Sequence, residues 1–270
     1  MADLAIGIVG AAGRMGRALA RAVAGAGGCR LAAASEMPGH AALGEDAGRL
    51  AGLDPLGVAL IDDAGAVFAA AEAVFDFTSP KGTARHAALA AETGTILVTG
   101  TTGLDSGQQA AIAAAARRVA VVQAPNFSVG VNLAIALVEQ AARTLDDEFD
   151  IEIVEMHHRH KRDAPSGTAL GLGGAAARGR GVALEAAAVR GRDGITGERP
   201  RGAIGFAALR GGDVVGDHMV IFAGPGERLE IAHRAGGREI FARGAVRAAL
   251  WARGKPAGLY SMGDVLGFAR

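Results

Sequence analysis

The sequence predicts an α/β fold in which a doubly wound parallel sheet is joined to a second, α+β domain with a mixed or antiparallel sheet. Short apolar runs alternate with helix-favouring segments from residue 4 to residue 123, which is typical of a parallel sheet with helices on both faces. Beyond residue 128 one long helical segment precedes several strands joined by short turns, which is typical of an antiparallel or mixed sheet. We therefore predict a first domain of residues 1–127, completed by residues 239–270, and a second domain of residues 128–238.

The first strand and helix flank a glycine-rich turn. The apolar run at 4–9 leads into Gly10-Ala11-Ala12-Gly13-Arg14-Met15-Gly16, and residues 17–24 then favour a helix. In a Rossmann-like domain this arrangement points the backbone N–H groups of the helix start at a pyrophosphate. The motif is a weak signal in a chain with 42 glycines, so a purely structural match stays an alternative.

The next strand ends at a carboxylate. The apolar run at 31–35 is followed by Glu36, twenty residues past Gly16, where a ribose-binding acid belongs. The alternative is a solvated acid in a loop. The spacing favours a dinucleotide-binding domain.

The alternation continues with strands predicted at 73–78, 95–99 and 119–123 and helices at 80–92 and 106–118. Ligands of such sheets lie past the carboxyl ends of the strands. Three loops follow strands at that edge: Thr78-Ser79-Pro80, Gly100-Thr101-Thr102-Gly103 and Ala124-Pro125-Asn126-Phe127. Each is compatible with ordinary turn chemistry, but their shared location favours a cofactor role.

The second half of the chain has a different order of predicted helices and strands. A helix is predicted from about 128 to 145, and residues 149–156 alternate apolar and acidic side chains like a half-exposed strand. A helix at 169–178 and strands at 203–210, 214–223 and 228–234 follow, and a last helix at 239–253 is expected to pack back on the first domain. Exposed strand edges and apolar residues on both faces predict a homo-oligomer.

The segment 155–168 stands out because it holds three of the seven histidines and one of only three lysines, in a chain where arginine is the usual cation. Lys161, crowded by Arg159 and Arg162, can give up a proton, whereas an arginine stays protonated. Backbone N–H groups before the helix at 169–178, with the hydroxyls of Ser166 and Thr168, form a natural carboxylate site. The segment therefore predicts acid/base chemistry beside an anion.

This segment has two alternative interpretations. His158 and His160, two apart on a strand, share a face and are candidate metal ligands, but the neighbouring cations repel a divalent ion and no cysteine completes a site. We therefore predict no metal. The other alternative is a basic, solvated loop.

Composition limits the classes of binding partner and the cellular compartment that we expect. Acidic and basic residues balance at 28 each with a pI near 7.1, which predicts a small-molecule partner rather than nucleic acid or a membrane surface. The single cysteine, Cys29, predicts a reducing compartment, hence the cytoplasm. The apolar stretch 4–12 is interpreted as a strand, not a signal peptide, and no apolar run approaches the ~20 residues that span a bilayer.

Six motifs together resemble the 4-hydroxy-tetrahydrodipicolinate reductases, long called dihydrodipicolinate reductases, of bacterial and plant lysine biosynthesis. In order they are Gly10–Gly16, Asp76–Thr78, Gly100–Gly103, Asn126–Asn132, Glu155–Thr168 and Thr196–Arg199. The resemblance runs nearly end to end. Its most specific part is the His-His-Arg-His-Lys stretch followed by Ala-Pro-Ser-Gly-Thr.

The resemblance implies reduction of a cyclic dicarboxylate, with loss of water, by NADH or NADPH in a cytoplasmic homotetramer. It implies that Lys161 is the proton donor, His157 the acid/base or charge-stabilising residue, His158 a substrate contact and Gly167-Thr168 the carboxylate-binding turn. His160 receives no role. The implied cofactor-binding residues are Gly10, Ala11, Ala12, Gly13, Arg14, Met15, Glu36, Gly100, Thr101, Thr102, Ala124, Pro125, Asn126 and Phe127.

The chain departs from the family pattern after Glu36. Members that favour NADPH often carry a basic residue there for the 2′-phosphate, and this chain has Met37. We predict that NADH is used at least as well as NADPH, with Arg14 as an alternative cation that leaves dual use open. Two rivals remain: a dehydrogenase with a cysteine nucleophile, disfavoured because Cys29 lies in the cofactor domain, and a nucleotide-sensing protein without turnover.

Overall fold

Strands and helices alternate along the first half of the chain in the computed structural model, which describes residues 2–268. The strands are β1 (Leu4–Val9), β2 (Cys29–Ser35), β3 (Leu60–Ile61), β4 (Ala73–Asp76), β5 (Ile96–Thr99), β6 (Ala120–Gln123), β7 (Asp150–His157), β8 (Ala188–Val189), β9 (Ile204–Arg210), β10 (Asp217–Gly224), β11 (Glu227–Arg234) and β12 (Gly258–Tyr260). The helices are α1 (Arg14–Ala24), α2 (Ala47–Leu50), α3 (Ala64–Ala70), α4 (Pro80–Thr93), α5 (Ser106–Ala115), α6 (Val129–Thr144), α7 (Gly167–Arg180), α8 (Leu184–Ala187), α9 (Glu239–Ala252) and α10 (Met262–Leu266).

The chain divides into two units, with boundaries after Val129 and before Arg238. In the first unit the strands form a sheet in the order β12-β6-β5-β4-β1-β2-β3, and every pairing is parallel. Leu4, Ile6 and Ile8 lie in one core cluster, whereas Val9 lies in another, because alternate residues of a strand face opposite sides. The predicted doubly wound parallel sheet is confirmed.

The end of the chain belongs to the first unit. Helix α9 packs against α1, and the Cα of Gly244 lies so close to the carbonyl group of Phe127 that a side chain there would overlap it. The functional labels given to the two domains stay predictions.

The second unit has a five-stranded sheet in the order β11-β10-β7-β9-β8. Strand β9 runs parallel to β7 and β8, whereas β10 runs antiparallel to β7 and β11, so the predicted mixed sheet is confirmed. Helix α7 covers one face, where Leu172 and Ala176 share a core cluster with Ile151, Ile153 and Phe206. The same face of β7 continues to Glu155 and His157.

Several element boundaries differ from the predictions. The strand predicted at 73–78 ends at Asp76, because its carboxylate accepts hydrogen bonds from the backbone and hydroxyl of Thr78 and turns the chain. The helix predicted at 106–118 ends at Ala115, and the strand predicted at 214–223 starts at Asp217. The helix predicted at 169–178 starts earlier, at Gly167, because Ser166 caps it.

The sequence analysis did not predict seven elements of two to seven residues, which are α2, α3, α8, α10, β3, β8 and β12. Strands β3 and β12 have two and three residues and lie at the two edges of the parallel sheet. Such runs are too short to show a periodicity. Within residues 2–268, no helix combines the length and the apolar character needed to cross a membrane.

Candidate active site

Strand β7 places two ionisable side chains at the end of a buried face. Ile151, Ile153, Glu155 and His157 alternate with half-exposed residues along the strand. Glu155 is 1% exposed and His157 is 8% exposed. The helix-covered face of the second sheet therefore ends in a polar cluster.

Glu155 and His157 are joined by a short hydrogen bond, with 2.6 Å between Glu155 Oε2 and His157 Nδ1. Arg210 donates to both oxygens of the same carboxylate, at 2.8 and 2.9 Å. Burial alone would raise the pKa of Glu155, but the hydrogen bonds from Arg210 and His157 outweigh it and lower the pKa. Because Glu155 is a carboxylate, Nδ1 of His157 is the donor, and Nε2 is the nitrogen that can exchange a proton.

Arg210 also ties the loop after β7 to the sheet. It lies opposite His157 in the parallel pairing of β7 and β9, and its Nη2 donates to the backbone oxygen of Asp163 at 2.7 Å. A planar guanidinium that grips a carboxylate with two bonds fixes both partners. The sequence analysis missed Arg210, which is 55 positions from Glu155.

Ser166 and His218 complete the buried part of the cluster. The backbone N–H of Ser166 donates to Glu155 Oε1 at 3.1 Å, and its hydroxyl caps α7 by accepting from Ala169 N at 3.1 Å. The same hydroxyl lies 2.9 Å from Nε2 of His218. Burial, with smaller contributions from the nearby charges of His157 and Lys161, lowers the pKa of His218 to about 4. His218 is therefore neutral near pH 7, and its Nε2 shares a hydrogen bond with the Ser166 hydroxyl.

Gly167 and Thr168 lie in the first turn of α7. Gly167 is exposed and Thr168 is half-buried. The N-terminus of a helix carries partial positive charge, which favours a carboxylate.

Lys161 lies in the loop after β7 and has a partner that the sequence argument did not consider. Its Nζ forms an ion pair with Asp163 Oδ1 at 2.9 Å. The hydrogen bond from Lys161 lowers the pKa of Asp163. The Lys161 side chain is 20% exposed, whereas that of Asp163 is 64% exposed, so the pair lies at the edge of the buried cluster.

His158 and His160 lie beyond the end of β7, so the assumption that they share a strand face is wrong. The backbone N–H of His158 donates to Val214 O at 2.7 Å, and the two rings are 6.2 Å apart. In the described part of the chain no group of three or more His, Cys, Asp or Glu side chains is placed to hold a metal ion. The prediction of no metal stays a prediction.

The glycine turn in the first unit leaves room for close backbone approach. Gly10 has a φ of 71°, which L side chains rarely adopt, and a side chain at Gly16 would overlap the backbone of Gly10 and Ala11. Gly13 is the N-cap residue of α1, and because it has no side chain, the first turn of the helix has no side-chain cap. The turn therefore has the features of a phosphate-binding turn.

The carboxylate of Glu36 faces this turn. Its Oε2 accepts from Ala12 N at 3.1 Å and its Oε1 from Met37 N at 3.0 Å. Met37 itself is 67% exposed. The structure therefore brings the predicted ribose-binding acid to the glycine turn and leaves an uncharged side chain beside it.

The loops after β5 and β6 line two cavities of the first unit. One, of about 200 Å³, is lined by Met15, Phe77, Gly100, Pro125, Asn126, Phe127 and Phe241. The other, of about 550 Å³, includes Thr101, Thr102, Ala124 and Pro125 beside residues 259–261. The sequence analysis did not predict Phe77 and Phe241 as site residues, because only the fold brings them together in the lining of the smaller cavity. The remaining residues of the predicted cofactor set lie at the glycine turn and Glu36.

Both parts of the chain match one known family. A sequence model described as "Dihydrodipicolinate reductase, N-terminus" matches residues 4–127, and one described as "Dihydrodipicolinate reductase, C-terminus" matches residues 130–266. The chain is 57% identical over 269 residues to the 4-hydroxy-tetrahydrodipicolinate reductase of Rhodopseudomonas palustris (strain BisB18), covering 100% of this chain and 99% of that protein.

Solved structures share the fold at low identity. The dipicolinate-bound dihydrodipicolinate reductase from Paenisporosarcina sp. TG-14 superposes with a TM-score of 0.75 at 22% identity, covering 96% of this chain and 97% of that chain. GenD2 from gentamicin A biosynthesis, in complex with NAD, superposes with a TM-score of 0.60 at 15% identity, covering 99% of this chain and 91% of that chain.

Proposed function

The chain belongs to the dihydrodipicolinate reductase family, and from this premise we propose which of its residues carry out the reaction. It is an oxidoreductase of lysine and diaminopimelate biosynthesis that reduces 4-hydroxy-tetrahydrodipicolinate to tetrahydrodipicolinate. In the balanced reaction the substrate takes up one hydride and one proton and loses water. A bound nicotinamide cofactor supplies the hydride, and the chain must supply binding, orientation and the proton.

The hydrogen bond from His157 to Glu155 carries the proposal. A carboxylate that is held by Arg210 and accepts from Nδ1 sets one tautomer of His157 and keeps Nε2 available. Gly216 gives this nitrogen space, since a Cβ at Gly216 would lie 3.0 Å from Nε2. His157 is the acid/base or charge-stabilising residue of the reaction.

Lys161 is the proton donor. Its side chain is 20% exposed and ion-paired with Asp163, so its ammonium group lies beside the buried cluster with a proton available. Its charge also suits a dianionic substrate. His158 contacts the substrate, and the start of α7 at Gly167 and Thr168 binds a carboxylate. The Paenisporosarcina structure holds dipicolinate, a planar dicarboxylate of the class that such a cluster fits.

The residues of the glycine turn fit a dinucleotide. Gly10 and Gly16 have no space for side chains, and Gly13 leaves the start of α1 without a side-chain cap. The carboxylate of Glu36 accepts a hydrogen bond from Ala12 of the turn, which supports a role in binding the ribose. The loops at 100–102 and 124–127 would hold the nicotinamide half. A nicotinamide cofactor follows from the family.

NADH is proposed as at least as good a cofactor as NADPH. The carboxylate of Glu36 would repel a 2′-phosphate, and Met37 offers no cation to offset it. Arg14, exposed at the start of α1, is the cation through which NADPH would be accepted.

A homo-oligomer, a tetramer by family resemblance, is also proposed. The sheet face opposite α7 carries Val154, Leu209, Met219 and Ile221, none of which belongs to a core cluster of the described chain. Leu209 is 50% exposed. An apolar sheet face of this kind is stabilised by pairing with a second copy. The one cysteine, Cys29, is buried and free, which fits a reducing cytoplasm.

The activity is tested with a synthase that generates the unstable hydroxylated substrate in the cuvette, while nicotinamide absorbance is followed. The proposal predicts oxidation of NADH that depends on the synthase and stops when its substrates are omitted. Tight binding of NADH without such oxidation would instead support a nucleotide-sensing protein.

A further inference from the structure

Asp76 is a buried acid that the proposed reaction does not use. It ends β4 and its side chain is fully buried. Its Oδ1 accepts from the backbone N–H of Thr78 at 3.1 Å and from the Thr78 hydroxyl at 2.6 Å. A buried carboxylate is costly unless it is hydrogen-bonded, so these bonds hold Thr78 firmly in one orientation.

Thr78 in turn lies against the first glycine of the dinucleotide turn. A Cβ built on Gly10 would be only 2.8 Å from Cγ2 of Thr78. The methyl group of Thr78 therefore supports the backbone of Gly10 from the side, while its hydroxyl is held by Asp76. Thr78 therefore links the carboxylate of Asp76 to the glycine turn.

The loop after β5 is held by the same segment. The backbone oxygen of Asp76 accepts from Gly100 N at 3.0 Å, and Gly100 lies so close to the ring of Phe77 that no side chain fits between them. Helix α4 adds a buried hydrogen bond of 2.8 Å from the Thr83 hydroxyl to the Thr101 hydroxyl. Both glycine loops are therefore connected to the residues around Asp76.

The second oxygen of Asp76 faces a histidine of α4. Nδ1 of His86 lies 3.2 Å from Asp76 Oδ2, and the His86 side chain is 10% exposed. The His86 ring stacks on Phe68 at 6.0 Å, so its position is fixed from the other side. Asp76, Thr78 and His86 together are called the Asp76 cluster.

We propose that the Asp76 cluster positions the two glycine loops for the nicotinamide cofactor. Its members are positioning residues, because Asp76 is buried and acts on the loops through Thr78 and its own backbone. The inference rests on the proposed cofactor site in the first unit. It predicts a loss of cofactor affinity, and not of turnover at saturating cofactor, when the cluster is disturbed.

The test measures the Kd of NADH by nicotinamide fluorescence for Thr78→Ala and Thr78→Ser. Alanine removes both the hydroxyl that Asp76 holds and the methyl group that lies against Gly10, and it is expected to raise Kd about tenfold. Serine loses only the methyl group and is expected to raise Kd about threefold. Thr93→Ala is the matched control. Thr93 is a threonine of the same unit, and its hydroxyl bonds Leu89 O and Thr95 instead of Asp76. It should leave Kd unchanged. The kcat at saturating NADH should change less than about twofold in all three variants.

A second variant tests the link through a residue that is too deeply buried to touch the cofactor. Asp76→Asn is expected to raise Kd about fivefold in the wild-type background and to have no further effect in Thr78→Ala, because the two residues act in series. The proposal is overturned if Thr78→Ala binds NADH like wild type, if serine loses as much affinity as alanine, or if the effects of Asp76→Asn and Thr78→Ala add. These binding measurements do not depend on the dicarboxylate, so they stand even if the proposed reductase activity fails.

Discussion

Oε2 of Glu155 lies 2.6 Å from Nδ1 of His157, on the same face of β7 and two residues away. Arg210 holds the carboxylate with two further hydrogen bonds. The pair resembles other carboxylate–histidine pairs, in which the acid sets the tautomer of a ring that exchanges protons at the opposite nitrogen. The proton chemistry proposed for the site depends on this relationship.

Glu155→Gln should lower kcat by about a hundredfold, because the neutral amide no longer fixes the tautomer or stabilises charge on His157. Steady-state kinetics measures the effect, and circular dichroism checks the fold. The matched control is Glu152→Gln on the opposite face of the same strand, where the carboxylate pairs with Arg192 and Arg199. Equal losses of kcat in both variants would contradict the assigned role of Glu155.

His218 should make the stability of the fold depend on pH. Its pKa is lowered from 6.5 to about 4 by burial and by His157, so the folded state binds this proton less readily than the unfolded state. The stability that follows is fully present above about pH 6.5 and is lost as pH falls towards 4, by up to about 3 kcal/mol.

The measurement for His218 is urea unfolding of wild type and His218→Asn between pH 4 and pH 7. Asparagine is polar, like the neutral histidine, but cannot titrate. We expect the free energy of unfolding of wild type to fall more steeply with acid than that of the variant. Parallel curves would contradict the low pKa of His218.

Met37→Arg should lower the KM for NADPH about tenfold, because the guanidinium would pair with the 2′-phosphate beside Glu36. Met37→Leu is the control for loss of the thioether and should leave both KM values near those of wild type. Wild type should use NADH at least as well as NADPH. A large preference of wild type for NADPH would show that Arg14 or another cation replaces the missing basic residue.

Leu209→Glu should weaken self-association, since it places a charge on the apolar sheet face opposite α7. Light scattering over a concentration series measures the mass of each species. Ile195→Glu, at a fully exposed position of the same unit, is the control that should assemble like wild type. A wild-type chain that stays monomeric at every concentration would remove the oligomer proposal.

Much of the site could be predicted from the sequence where a local pattern carried the signal. Glu36 follows from its spacing to Gly16. The alternation of apolar and acidic residues along 149–156 predicted a half-exposed strand but gave Glu155 no role, and its burial beside Ile153 is seen only in the fold. Arg210 and His218 could not be predicted, because their positions depend on the pairing of β9 and β10 with β7, which no local period specifies. Asp163, two residues from Lys161, is local, but whether its carboxylate turns towards the lysine depends on the loop conformation.

The central claim is that Lys161 and His157 perform the proton chemistry of the reduction, and the coupled assay tests it most directly. Lys161→Ala and His157→Ala should each lose kcat by at least about a hundredfold while NADH binding and the circular dichroism spectrum are retained. Lys255→Ala, which removes a lysine that lies over Trp251 in the other unit, should keep wild-type activity. A fully active Lys161→Ala would contradict the account.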